Sequence, residues 1–585
     1  MERSHLASAL GALLLIAVQG FTHSFAQEAE TPTSSSTTTS APAEKQEARP
    51  HHKHYREPAG GDKPSPTGSI APRLQNLGKH TFPVSCASEQ GQQYINQGLN
   101  LAYAFNHAEA GRSFREAARL DPDCAMAYWG QALVLGPNIN APMDPEAEPK
   151  ARALALKAKS LSSGVDKRER ALIDALATRY TGDAADRSSA DKKYAEAMGK
   201  VVEQYPDDLD IATLYAESMM DLRPWNYWMR DGTPYEGTEK IVELLEQVMD
   251  KNPEHPGALH LYIHLIEPTN NPERAEQAAD KLQNLVPGAG HLVHMPAHIY
   301  QRVGRYADAV KANERAIAAD EDYITQCRAQ GIYPMAYYPH NIHFLWFANT
   351  ALGRSGEAIG AANKTAEQIS DETLEAMPML ASFRVLPCWS LARFGKWDQV
   401  LALPQPPADP FLTLAWHYVR GLAFIAKDQL NKAQEELAQV QKLAADPALD
   451  YPMFSPNTAK QVLAIAPEVL AGELAAARKD YETAVNHLSR AILLEDGLVY
   501  TEPAEWHYPP RLALGAVLLE AGRPAEAETV YWQDLDRRPN NGWALFGLAQ
   551  ALRAQDKGEQ AELIEARFNK AWRDADVKLQ ASRIR

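Results

Sequence analysis

The 585-residue chain is short of cysteine, of basic charge and of long apolar runs, and each shortage excludes something. Four cysteines cannot staple a chain of this size, and none shows the Cys-x-x-Cys spacing of a thiolate metal site. Cys86 and Cys124 bracket the first helical pair and suit one bridge if the chain is exported; Cys327 and Cys388 read as single buried thiols. A formal net charge of −16 supplies no basic stripe for nucleic acid and no attraction to anionic lipid. Beyond the N-terminus no stretch approaches the roughly 20 apolar residues of a membrane-spanning helix. Gly-x-Ser-x-Gly, a phosphate-cradling glycine loop and His-Glu-x-x-His are also missing, so those motif-defined enzyme classes have no support.

What is present begins with Arg3 ahead of an apolar run from Leu6 to Val18, and "SFA" ending at Ala26. This pattern predicts a cleaved secretory signal over 1–26, with a membrane anchor as the alternative, and hence a soluble, exported, periplasmic protein. Residues 27–80 are rich in Ser, Thr, Pro and charge and read as a disordered linker. The "HHKH" within it (His51, His52, His54) is either a weak metal chelator or part of the polar tract.

From Thr81 onward the chain repeats itself. "AFNHAEAGRSFREAARLDPDCAMAYWG", "QRVGRYADAVKANERAIAADEDY", "RKDYETAVNHLSRAILLED" and "LLEAGRPAEAETVYWQDLDRRPNNGWALFGLAQAL" share a helix, a small or polar turn, an acidic residue and alanine, and a second helix. These segments resemble the tetratricopeptide repeat (TPR) superfamily, and more narrowly exported bacterial TPR proteins. The resemblance implies an all-α, right-handed solenoid of about nine or ten helix pairs with a concave side lined by the first helices. It divides as an N-terminal array, 81–395, carrying a histidine-lined groove, and a C-terminal array, 396–585. Residues 221–237, "DLRPWNYWMRDGTPYEG", interrupt one pair and read as a loop, either a lid over the groove or a cap on a repeat interface.

The repeat register sorts the histidines. With Gly304 as the turn glycine and Ala309 as the small packing residue, His291, His294 and His298 take groove-facing positions 2, 5 and 9 of a first helix. The preceding unit places His260 and His264 at positions 5 and 9 and Glu267 at position 12; the following unit places His340 and His343 at positions 2 and 5. One unit earlier, Glu217 stands at position 9. Seven of nine equivalent places are histidine in a chain with only 18, so these residues belong to one surface. Residues four apart share a helix face, making His260/His264 and His294/His298 two-imidazole clamps.

Neutral imidazole suits Zn, Cu or Fe, so the wall is a candidate for one or two transition-metal ions. Glu217 and Glu267 are candidate general bases or ligands. Trp225, Tyr333, Tyr337, Tyr338 and Trp346 form a candidate aromatic wall for an organic substrate, with repeat packing as the other reading of Trp346. Three functions stay open: a metal site that makes the protein an enzyme on a small organic or peptide substrate; a metal-free scaffold holding a peptide or partner protein in the groove; and a metal chaperone or sensor.

Overall fold

A computed structural model describes residues 68–182, 186–327, 333–454 and 456–585. The predicted signal segment, and the linker as far as residue 67 with its "HHKH", lie outside the described residues. Among the described residues the chain is an all-α array of paired helices, and no helix is long and apolar enough to cross a membrane.

Polar caps start many of the helices. Ser88, Asp208 and Asp409 each accept a backbone N–H at a helix N-terminus, satisfying a donor the helix leaves orphaned. His255 does the same for helix Pro256–Ile266, whose first residue is a proline that needs no partner there. The helix bearing the central histidines is broken: Gly290–His294 and Pro296–Arg302 meet at Met295, because Pro296 has no N–H to continue the ladder.

Three arrangements depart from the expectations. Residues 68–80, placed in the linker by composition, are packed. Ala71 and Leu77 are buried, Ile70 N–H donates to Glu116, Leu74 N–H to Gln97, and Gly288 N–H to the Asn76 carbonyl. Side chains of helices Glu89–Tyr103 and His107–Leu120 supply partners that the segment's own composition does not reveal.

The apolar core also divides earlier than 395/396. One cluster runs from Ala71 to Leu352 and a second from Ile317 to Ile564, meeting on helices Tyr306–Cys327 and Tyr338–Ala351.

The third departure concerns the groove. Trp543 Nε1 donates to the Thr350 carbonyl, and Asp576 accepts from Ser355 and Gly356. Tyr500 and Glu502, from the segment after helix Tyr481–Gly497, reach the histidine wall. Late elements therefore cover what the repeat register alone leaves as an open surface. Loop 221–237 joins this cover: its Arg230 donates to the Gly497 carbonyl, and its Tyr227 is buried.

Candidate metal centre

Two three-histidine groups stand side by side, and helix spacing explains both. In the first, His260 and His264 lie one turn apart on helix Pro256–Ile266 and meet His291 from the next first helix. In the second, His294 and His298 meet His340 at the start of helix Tyr338–Ala351. Within each group one nitrogen per ring lies within 4.8 Å of the others. The groups touch: the His264 and His298 rings are 5.6 Å apart and the His291 and His294 rings 6.0 Å. All but His340 are buried, at 0–3% exposure.

Each group backs onto one phenylalanine. Phe105 packs on His260, His264 and His291, and Phe344 on His294, His298 and His340. Phe105 and Trp225, which meets His264 edge-on at 5.0 Å, both hold positive φ, at 55° and 62°. Left-handed backbone is unfavourable for aromatic residues and gathers at functional sites.

Hydrogen bonds decide which nitrogens are available. The Tyr103 carbonyl can only accept, so His260 Nδ1 carries a proton and donates to it at 2.6 Å. Tyr103 reaches that position because Gly257 lets its ring lie against the helix backbone; a side chain there would overlap the ring. Asn313 donates through Nδ2 to the Ala309 carbonyl, which leaves its Oδ1 to accept from His294 Nδ1 at 2.6 Å. Glu267 accepts from His264 Nδ1 through Oε1 at 2.8 Å and from His298 Nδ1 through Oε2 at 2.6 Å. Glu502 pairs with the same His298 nitrogen.

In four rings, then, oxygen acceptors pin Nδ1–H and leave Nε2 bare in the neutral form. Carboxylates and carbonyls hold metal-ligating histidines in this way. His294 Nε2 and His298 Nε2 face each other at 2.8 Å. Two lone pairs cannot stand so close without a cation, whether proton or metal.

Burial, reinforced by neighbouring imidazoles, lowers the pKa of His264, His291, His294 and His340 well below the ordinary value, and His260 falls to about 3. These rings keep their lone pairs at neutral pH. His298 is the exception: burial would lower it, but the Glu267 and Glu502 carboxylates push it up to about 10. Glu267 is raised well above the carboxylate range by burial and by Glu502 beside it.

A second histidine cluster fails the same test. His80 Nε2 and Tyr103 Oη lie 2.9 and 2.7 Å from Asp210 Oδ1, with His255 Nε2 at 3.3 Å. His255 Nδ1, however, accepts the Ala258 N–H, so its proton sits on Nε2, the nitrogen an ion would need. This cluster is a clamp that holds Asp210 low through donated hydrogen bonds.

Two predicted site residues are not gathered into the centre. Glu217 lies in a separate cavity with Tyr103, His107, Arg179 and Asp221, where burial and Asp221 raise it to about 8. His343 stacks on Trp346 and meets Phe383 edge-on, because its position in the helix abuts the second core, to which both rings belong. Of the aromatic wall, Trp225 and Tyr337 stand on the histidines. Tyr333 accepts the His291 N–H and donates to Asp320; Tyr338 pairs with Glu321, and Trp346 with Ser390 in the core. Sequence reading missed Glu502, Tyr500, Phe105 and Phe344. Glu502 lies far along the chain in a loop with no repeat register to place it. Cys86 and Cys124 are free thiols that approach each other beside Asp121.

No family model and no curated protein matches the chain. Several solved structures are similar to it at low levels. The APC/C hetero-tetramer Cut9-Hcn1 is similar at 13% identity over 84% of this chain and 95% of that one, with a TM-score of 0.27. Human IFIT1 in a dimer with m7Gppp-AAAA is similar at 12% identity over 76% and 90%, TM-score 0.31. Yeast Tom70 is similar at 12% over 82% and 90%, TM-score 0.24. Likeness at this level carries no argument. The protein is an all-α helical-repeat protein with a buried histidine cluster.

Proposed function

We propose that the histidine cluster is a paired transition-metal centre, one ion per three-histidine group, and that the protein is a metal-dependent enzyme acting on a small organic substrate. The observation that carries this reading is the pinning of four Nδ1–H groups, which frees Nε2 of His260, His264, His294 and His298 within one buried site. Imidazole nitrogen selects Zn, Cu or Fe over calcium or magnesium. Three imidazoles per ion leave a coordination position open, as catalytic sites do and closed structural sites do not. Trp225, 36% exposed, and Tyr337 stand against His264 and His291 and would supply apolar contact for an organic substrate. In this reading Glu267 orients ligands instead of acting as a base, and the secretory pattern at the N-terminus favours a periplasmic setting for the chemistry.

Burial argues against a peptide groove at this wall, since a partner could not touch rings that are 0–3% exposed. It also argues against a chaperone, which must release its ion readily. The test is elemental analysis of protein purified without a histidine tag. Two equivalents of Zn, Cu or Fe are expected, falling to one or none in folded His264→Ala and His298→Ala. Protein that stays empty on titration with all three metals refutes the centre, and loss of the ion to a chelator within minutes refutes the enzyme in favour of the chaperone.

A further inference from the structure

A second buried site lies in the C-terminal core, where none of the metal-centre residues reach. A cavity of about 40 Å³ is lined by Arg393, Trp397, Tyr418, Glu473, His507, Tyr508 and the segment from Arg583 to Arg585, with Ala392, Leu422 and Ile425 as its apolar walls. Arg393 is 8% exposed and forms no ion pair among the described residues; its guanidinium lies over the rings of Trp543, at 3.6 Å, and Tyr508, at 4.5 Å. Burial lowers its pKa to about 10, so it remains charged at neutral pH.

The nearby carboxylates are committed elsewhere. Glu473 pairs with Arg583 and Arg585, and Asp534 with Arg538 and Asn541. Three residues that line the cavity carry a buried polar atom, Tyr418 Oη, Tyr508 Oη and His507 Nδ1, with no hydrogen-bond partner among the described residues. A buried charge without a counter-charge is costly, and buried polar groups normally have partners. Neighbouring rings soften the cost for a guanidinium but do not supply an opposite charge.

We propose that this cavity binds a small carboxylate, held by Arg393 with the hydroxyls of Tyr418 and Tyr508. The planar fork of a guanidinium matches a planar carboxylate, and the two phenols can donate to the same oxygens. A single water needs about 10–15 Å³ on this measure, so the cavity suits an anion the size of formate or acetate better than an aromatic acid. The bland occupant is a cluster of waters, which would satisfy the phenols and leave Arg393 uncompensated.

The test is calorimetric titration of the full chain with sodium formate, acetate and benzoate at constant ionic strength. Formate or acetate is expected to bind at one saturable site, with benzoate giving no heat. Arg393→Met should abolish binding and Tyr418→Phe should weaken it by several fold, with metal content unchanged in both. Should Arg393→Met fail to fold, Tyr418→Phe and Tyr508→Phe carry the test. No saturable heat for either small anion, affinity unchanged in the folded variants, or equal binding of benzoate would each overturn the proposal.

Discussion

Glu267→Gln is the sharpest perturbation of the metal centre. One carboxylate accepts from two rings, His264 Nδ1 and His298 Nδ1, at 2.8 and 2.6 Å. The two rings belong to different three-histidine groups. A carboxamide keeps one acceptor oxygen but replaces the other with an NH₂ group, which would face an N–H. The affected ring must turn its proton to Nε2 and so loses the lone pair it offers an ion. Loss of an outer hydrogen-bond partner of a metal-bound histidine costs about 10- to 100-fold in metal affinity. That is about 1.4–2.7 kcal/mol.

The variant should therefore hold one ion with nearly native affinity and the other at least tenfold more weakly, read by chelator competition followed by elemental analysis. Two ions bound at unchanged affinity in Glu267→Gln would refute the assignment of Nε2 as the ligating nitrogen.

Other outcomes test the surrounding fold. Metal-free protein should lose stability in acid: burial lowers His107 to about 4 and His343 to about 3, so the unfolded chain takes up protons that the folded chain refuses. Their contribution is complete above the ordinary histidine value, about 6.5, and fades as pH falls from there toward 4 and 3; denaturant melts at pH 7, 5.5 and 4.5 should show a smaller decline in His107→Gln than in the parent, and equal declines would refute it. Asp320 has the opposite sign. Burial raises it to about 7, so its contribution is present in acid and disappears as pH rises from about 4 toward 7, and Asp320→Asn should remove that component. Gly290→Ala should cost about 1–3 kcal/mol or more, since a Cβ there would overlap the Asp320 carboxylate beside His291; a melt within a few tenths of the parent would count against that packing.

Much of this protein is legible in its sequence because the information is local. Helix pairs follow from the spacing of apolar residues, turn glycines such as Gly304 and small packing residues such as Ala309, all within one repeat. The histidine surface is legible for the same reason: positions three and four apart on first helices share a face, and consecutive units repeat it. The sequence also marks Glu267 correctly as a neighbour of His264, because i and i+3 meet on a helix.

Tertiary structure alone decided the rest. His343 obeys the register that places His340, yet it packs on Trp346 and Phe383, since position 5 of that unit abuts the second core. Glu217 likewise obeys a groove register and lies in another cavity, beside Arg179 and Asp221. Glu502 shares His298 with Glu267 through a loop more than two hundred residues away, which no period predicts. Which nitrogen of each ring is free depends on single acceptors, the Tyr103 carbonyl, Asn313 Oδ1 and the Glu267 carboxylate, brought there by packing between elements. Periodicity fixes which face of a helix a residue occupies; contacts between distant elements fix what that face meets, and hence its chemistry.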